Sequence, residues 1–242
     1  MQSVMTRTAT PRAPSGSMTD VFACARAQIY YNSKRKPLAQ VKRETGCSHI
    51  INGYLFNGSF QPVGWTVIDG KVISRDAYQD WGISIGSDGK PQMLTDRGGS
   101  FLSGVPLLKN GAKLERSLTP DVARSAARTA VGWMPDGRIC LWCDKTSLTR
   151  EQLQNKLLGL GVADALMLDG GGSTQGIFPN GKVASSRKVP TMVLFWEETH
   201  QEENTDLNWA GKSGILTEAQ LAEPEKAVTR RELAEILHRL QK

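Results

Sequence analysis

The chain has 242 residues, 39% of them hydrophobic and 22% charged, enough for one filled core with a small appendage and unlike a wholly disordered chain. Its longest apolar runs, residues 165–168 and 192–196, fall far short of a spanning helix, so a soluble protein with no membrane partner is expected. Basic residues outnumber acidic ones by 30 to 24, a net charge of +6 that favours anionic ligands.

Residues 1–20 read as a disordered leader, because they carry Arg, Thr, Ser and Pro without an apolar block of signal-peptide length. A cytoplasmic location follows as the default, with carriage on a phage particle as an alternative. The dense basic cluster Lys34-Arg35-Lys36 stands before Pro37 and reads as a solvated loop. No aromatics interleave with it, so a nucleic-acid partner is not expected.

A main domain is expected over residues 21–198. Residues 63–68, the turn Asp69-Gly70 and residues 71–73 form a strong hairpin signal. Asp88-Gly89, Asn110-Gly111, Asp136-Gly137 and Asn180-Gly181 repeat that turn chemistry. Residues 130–134 and 139–142 bracket one such turn and should pair as antiparallel strands. Cys140 and Cys143 form a C-x-x-C, but within a strand, where positions three apart point to opposite faces. No second pair or nearby histidine completes a tetrahedral metal site, so these cysteines read as structural.

Thr149 and Gln152 form a capping box ahead of the apolar positions Leu153, Leu157, Leu158 and Leu160, and Gly159 and Gly161 end that helix. Residues 163–168 then read as a buried strand that stops at Asp169. Many short strands with few helices give an α+β fold, with mixed, largely antiparallel twisted sheets.

Asp169-Gly170-Gly171-Gly172-Ser173-Thr174 is the most informative segment. A carboxylate at the mouth of an apolar strand sits at the rim of the core. Three glycines let the backbone bend sharply and approach a ligand, and their N–H groups can converge on an anion. Ser173 and Thr174 add hydroxyls able to donate to phosphate or sugar oxygens. No Lys follows the glycines, which excludes a Walker loop. No clear helix follows either, which argues against a dinucleotide fingerprint.

Residues 168–174 resemble the signature of the phosphodiester glycosidase family, which includes the enzyme that removes N-acetylglucosamine from its phosphodiester with mannose 6-phosphate. Further segments agree in the family's order: residues 50–56 (Ile-Ile-Asn-Gly-Tyr-Leu-Phe), the hairpin of residues 62–73, residues 127–132 (Ala-Arg-Thr-Ala-Val-Gly) and the helix of residues 149–161. Tyr54 stands where the family has a second glycine, a change that reshapes the sugar pocket.

The resemblance implies hydrolysis of a sugar-phosphate diester. Asp169 is then the first candidate for general base, nucleophile or oxocarbenium stabiliser; the distance between carboxylates decides among these. Glu44 and Asp144 are candidates for a second carboxylate, Glu44 also reading as a solvated charge beside Lys42 and Arg43. Arg128 offers a planar fork to phosphate, and Arg187 is a second phosphate contact. Asn52 either binds sugar hydroxyls or shapes the turn before Gly53; Gly53, Thr129, Gly170, Gly171, Gly172, Ser173 and Thr174 complete the expected binding set. His49 is an acid–base candidate or a structural histidine. No cofactor is expected; a divalent cation at Asp169 stays open, without a cluster of oxygen ligands to demand one.

Residues 207–242 resemble one S-layer-homology repeat, a small helical unit suited to packing, homo-oligomerisation or wall attachment. The leading expectation is a hydrolase acting on a small-molecule sugar phosphate or a chemically similar nucleotide linkage. The alternative is a non-catalytic binder of a nucleotide or cell-wall glycan, anchored or oligomerised by the C-terminal unit.

Overall fold

The computed structural model describes residues 16–75, 81–95 and 98–198, together with Ile236. Of the leader expected over residues 1–20, residues 1–15 lie outside the described residues, whereas Ser17–Phe22 is a strand, so the sheets begin before residue 21. The C-terminal unit expected over residues 207–242 lies, Ile236 apart, outside the described residues. The chain divides at Glu198 into two units, and the three sheets belong to the first.

In chain order, the first half contains β1 (Ser17–Phe22), β2 (Cys24–Tyr31), α1 (Leu38–Thr45), β3 (His49–Asn52), β4 (Thr66–Ile68), β5 (Lys71–Ser74), β6 (Gly82–Ile85), β7 (Pro91–Leu94) and β8 (Ser100–Ser103). There follow β9 (Val105–Lys109), β10 (Ala112–Lys113), α2 (Pro120–Ala123), β11 (Ala126–Trp133) and β12 (Ile139–Leu148). The chain continues through α3 (Arg150–Gly159), β13 (Asp164–Met167), a single 3-10 turn (Gly171–Ser173), β14 (Gly176–Phe178), β15 (Gly181–Val183) and β16 (Thr191–Glu197).

The strands make three sheets, ordered β1-β12-β11-β13-β9-β10, β15-β14-β3-β16-β2 and β5-β4-β8-β6-β7. Every ladder between these strands is antiparallel. The expected hairpins follow from turn chemistry. Asp69 and Gly70 have φ of 49° and 76°, and Asn110 and Gly111 have 49° and 74°, the paired positive values a two-residue turn needs to match strand twist. The strand of the first hairpin begins at Thr66 rather than at Val63, because Gly64 turns the chain with φ 81°.

Helix α3 starts where the capping box places it: Gln152 N–H donates to Thr149 Oγ1 at 3.1 Å and Thr149 N–H to Gln152 Oε1 at 2.9 Å. Of its apolar positions, Leu153 and Leu157 are fully buried while Leu160 is 40% exposed. Gly161, with φ 80°, turns the chain out of the helix and into β13. Burial of Leu166 and Met167 fixes that strand in the core, between β11 and β9.

A second, smaller apolar cluster lies under α1, formed by Leu38, Val41, Cys47, Ile50, Met192 and Leu194. Among the described residues, no helix is long and apolar enough to cross a membrane.

Candidate active site

Strand β13 hands the chain to Asp169 at the place where two sheets meet. Leu168 N–H donates to Thr129 O of β11 at 2.9 Å, and Asp169 N–H donates to Gly53 O, just past β3, at 3.1 Å. The loop after β13 is thus tied to the first sheet on one side and to the second on the other.

Asn52 is the pin between them. Its Nδ2 donates to Asp169 O at 2.8 Å and to Gly53 O at 3.0 Å. Its Oδ1 accepts from Thr129 Oγ1 at 2.8 Å and from Gln175 N–H at 3.1 Å. Two donors and two acceptor positions are all that a side-chain amide has, and the residue is fully buried. Of the two roles open to Asn52 in the sequence, sugar contact is therefore corrected to positioning. Thr129, whose hydroxyl is committed to Asn52, changes role with it. Gly53 belongs to the same floor, because a Cβ there would lie 2.2 Å from Thr191 Oγ1.

Above this floor is a cavity of about 140 Å³ lined by Asp169, Gly170, Gly171, Gly172, Arg128 and Arg187, and also by Tyr54, Asp121 and Arg124. The structure therefore brings together the carboxylate, the glycines and both arginines singled out in the sequence. Ser173 and Thr174 do not line it; both are fully buried beneath the turn, a correction to their expected role as ligand donors. The Ser173 hydroxyl instead lies against the Asp169 carboxyl.

The glycines have separate reasons. A Cβ on Gly170 would stand 2.5 Å from Ala127 O, where the ladder of β11 with β12 shifts register between Ala126 and Arg128. Gly171 has φ 57°, in the left-handed region, and opens the 3-10 turn that the sequence did not reveal. Arg124 and Arg187 stand close to this turn: the Cβ position of Gly171 is 3.6 Å from Arg124 Nη2, and that of Gly172 is 3.4 Å from Arg187 Nη1.

Arg128 is buried, with 3% of its surface exposed. Its Nε donates to Leu148 O at 3.0 Å, its Nη1 to Val122 O at 3.3 Å, and its Nη2 to Arg124 O. Most of the fork expected to grip phosphate thus holds the α2 segment against β11, while the charge still faces the cavity. Among the described residues no carboxylate lies within ion-pair distance of that charge. Burial and the neighbouring Arg124 lower its pKa from the usual value, because both disfavour the charged form.

Asp169 carries the opposite perturbation. Burial raises its pKa above the usual carboxyl value, opposed by the Ser173 hydroxyl, by the Gly170 N–H at 2.8 Å and by the charge of Arg187. Asp121 is exposed, and a hydrogen bond from Thr119 lowers its pKa. One cavity therefore holds a carboxyl pushed toward the neutral form and another held as the anion.

Sequence reasoning missed Asp121 and Arg124. They stand in or beside the short α2 segment, which resembles none of the family's motifs, and only the Arg128 bonds bring them to the cavity.

Glu44 and Asp144 are not brought there. Glu44 sits on the exposed face of α1, paired with Lys36 and accepting from Gln40 Nε2 at 2.9 Å. Asp144 is buried in β12 opposite Arg128 in the ladder, where its Oδ1 accepts from Thr146 N–H at 2.7 Å. Residues directly opposite in an antiparallel ladder share a face, yet the cavity is lined by Arg128 and not by Asp144. His49 is also remote: it stacks on Phe22 at 3.8 Å and its Nε2 lies 3.0 Å from Asp20 Oδ2. The thiols of Cys140 and Cys143 are both pushed up to about 12 by burial. Among the described residues no three His, Cys, Asp or Glu side chains gather as metal ligands would.

The sheet-rich fold and the Asp-Gly-Gly-Gly turn define a class. A family model for phosphodiester glycosidases matches residues 45–196, and the chain belongs to that family. Its fold is similar to the zebrafish N-acetylglucosamine-1-phosphodiester alpha-N-acetylglucosaminidase catalytic domain, auto-inhibited by its pro-peptide, with a TM-score of 0.58 and 18% identity. That match covers 78% of this chain and 86% of the zebrafish one. A hypothetical protein from Synechocystis is similar at a TM-score of 0.58 and 14% identity, over 77% of this chain and 58% of that one. No curated protein matches the chain.

Proposed function

We propose that this protein hydrolyses the C1–O bond of a glycosyl phosphodiester, releasing a free sugar and a phosphomonoester. The observation that carries the reading is the cavity itself: a carboxyl raised by burial stands beside a glycine turn flanked by Arg124 and Arg187, with Arg128, which has no ion-pair partner among the described residues, behind. Family membership supplies the reaction class. The zebrafish relative, by its name, acts on an N-acetylglucosamine 1-phosphodiester.

In this reading the arginines and the glycine N–H groups hold the phosphoryl oxygens, an arrangement worth most where water is excluded. Asp169, whose protonated form burial favours, donates to the bridging oxygen as the C1–O bond breaks and its electron pair leaves with phosphate. Asp121, kept ionised, faces the positive charge that grows at C1. Two carboxyls pushed apart in pKa divide the work in this way in glycosidases generally. Water then adds to C1 and returns its proton to Asp169, so the enzyme ends as it began. Tyr54, one wall of the cavity, narrows the space available to the sugar.

The test is hydrolysis of methyl N-acetylglucosaminyl phosphate in ¹⁸O-water, read by mass spectrometry. Label in the sugar is the expected result. Label in the phosphate means P–O cleavage and overturns the mechanism; tight binding without turnover makes the protein a binder instead. The rate should also fall as pH rises through the raised pKa of Asp169.

A further inference from the structure

A second cavity, of about 170 Å³, lies on the other side of Arg187, which lines both. Its walls come from the turn before α1 and from the segment running out of β15. Four of its lining side chains are cationic, namely Lys36, Lys182, Arg187 and Lys188, and none is acidic. Glu44 neutralises Lys36 from outside. Lys182 and Lys188 have no ion-pair partner among the described residues.

Like charges placed around one hollow repel, even where, as for Lys182, Arg187 and Lys188, they are exposed, so stability of the fold alone gives no reason to gather them there. The wall they stand on is also held in place relative to the glycine turn. Ser185 Oγ donates to Gly172 O at 2.6 Å and accepts from Arg187 N–H at 3.1 Å, while Gln175 Nε2 donates to Arg187 O at 2.9 Å. An anion gripped at the glycine turn therefore has a cationic hollow at a fixed position beyond Arg187.

We infer that this hollow receives a second phosphoryl group on the departing half of the substrate, so that the preferred substrate carries at least two phosphoryl groups. The inference rests on the proposed glycosyl phosphodiester hydrolysis and narrows its substrate class. The second group has two chemical sources: a diphosphate, as in a nucleoside diphosphate sugar, or the next unit of a polymer linked by glycosyl phosphates.

The experiment compares kcat/KM on three substrates: methyl N-acetylglucosaminyl phosphate, a uridine diphosphate N-acetylglucosamine, and a synthetic dimer of N-acetylglucosaminyl phosphate. Wild-type protein is set beside the Lys182→Ala/Lys188→Ala double variant. The expected result is that one of the two-phosphoryl substrates exceeds the single diester by about tenfold or more, and its identity names the source. In the double variant that preference disappears through a raised KM, with the single-diester rate within about twofold of wild type. No preference in the wild type, or a preference that survives the double substitution, overturns the inference. If the wild type cleaves nothing, the proposed reaction fails, and the hollow is judged by calorimetry with inorganic pyrophosphate. Binding weakened about tenfold in the double variant upholds the cationic subsite, whereas equal binding or none overturns it.

Discussion

The floor and the rim of the candidate site are built on different principles. The floor is a closed set of hydrogen bonds around Asn52, fully buried and with every donor and acceptor of that amide used. The rim is a set of charges, Arg124, Arg187 and Asp121, that have kept their access to the cavity. The lesson is that the residue type best suited to sugar recognition, a side-chain amide, is here the one with nothing left to offer a ligand. A floor of this kind holds the rim in position, so a change in it should damage stability first and activity as a consequence. Changes at the rim should do the reverse.

The largest effect is expected at Asp169, which joins the two regions. Asp169→Asn should lower kcat by about 10³-fold, the usual scale for losing an acid–base group, while leaving the protein more stable at neutral pH. The sign follows from linkage. Because burial raises its pKa, the folded protein binds the Asp169 proton more tightly than the unfolded chain does. That contribution is complete below the ordinary carboxyl range and is lost as pH rises through the raised value. Melting curves should therefore show no advantage for the Asn variant in acid and a growing one toward neutrality. An advantage that shrinks with rising pH would refute the assignment.

Asn52→Ala tests the floor. It leaves the Thr129 hydroxyl, the Gln175 N–H and two carbonyls in need of new partners, and a loss of about 3 kcal/mol in urea unfolding is expected. If stability is untouched while KM for the sugar rises, Asn52 binds ligand after all and the distinction between floor and rim fails.

Asp121→Asn tests the rim. It should cost about 30-fold in kcat, somewhat less than removal of a well-aimed oxyanion donor, with the melting temperature unchanged. A normal rate in this variant would remove Asp121 from the reaction.

The smallest effect belongs to Glu44→Gln. Since Glu44 pairs with Lys36 on an exposed face of α1, hydrolysis of a single diester should stay within about twofold of wild type. A large loss would reopen the search for the second carboxylate.

Much of the local structure was legible in the residues themselves. Asp69-Gly70 and Asn110-Gly111 specify their turns because few other pairs accept two positive φ values, and the Thr149–Gln152 box starts its helix with side chains already adjacent in sequence. The apolar run into Asp169 placed a carboxyl at the end of a buried strand, and the three glycines marked where the backbone must turn tightly. These are short-range constraints, satisfied within a few residues, so a linear reading recovers them.

What tertiary structure decided is which polar groups are already spent. Asn52 and Thr129 lie 77 residues apart, and only their meeting reveals that each consumes the other's hydrogen-bonding capacity. Arg128 draws Asp121 and Arg124 to the cavity through carbonyls of the α2 segment, a contact that no spacing rule contains. Whether a side chain serves a ligand or the fold depends on which long-range partners reach it first, and chain order does not encode that competition.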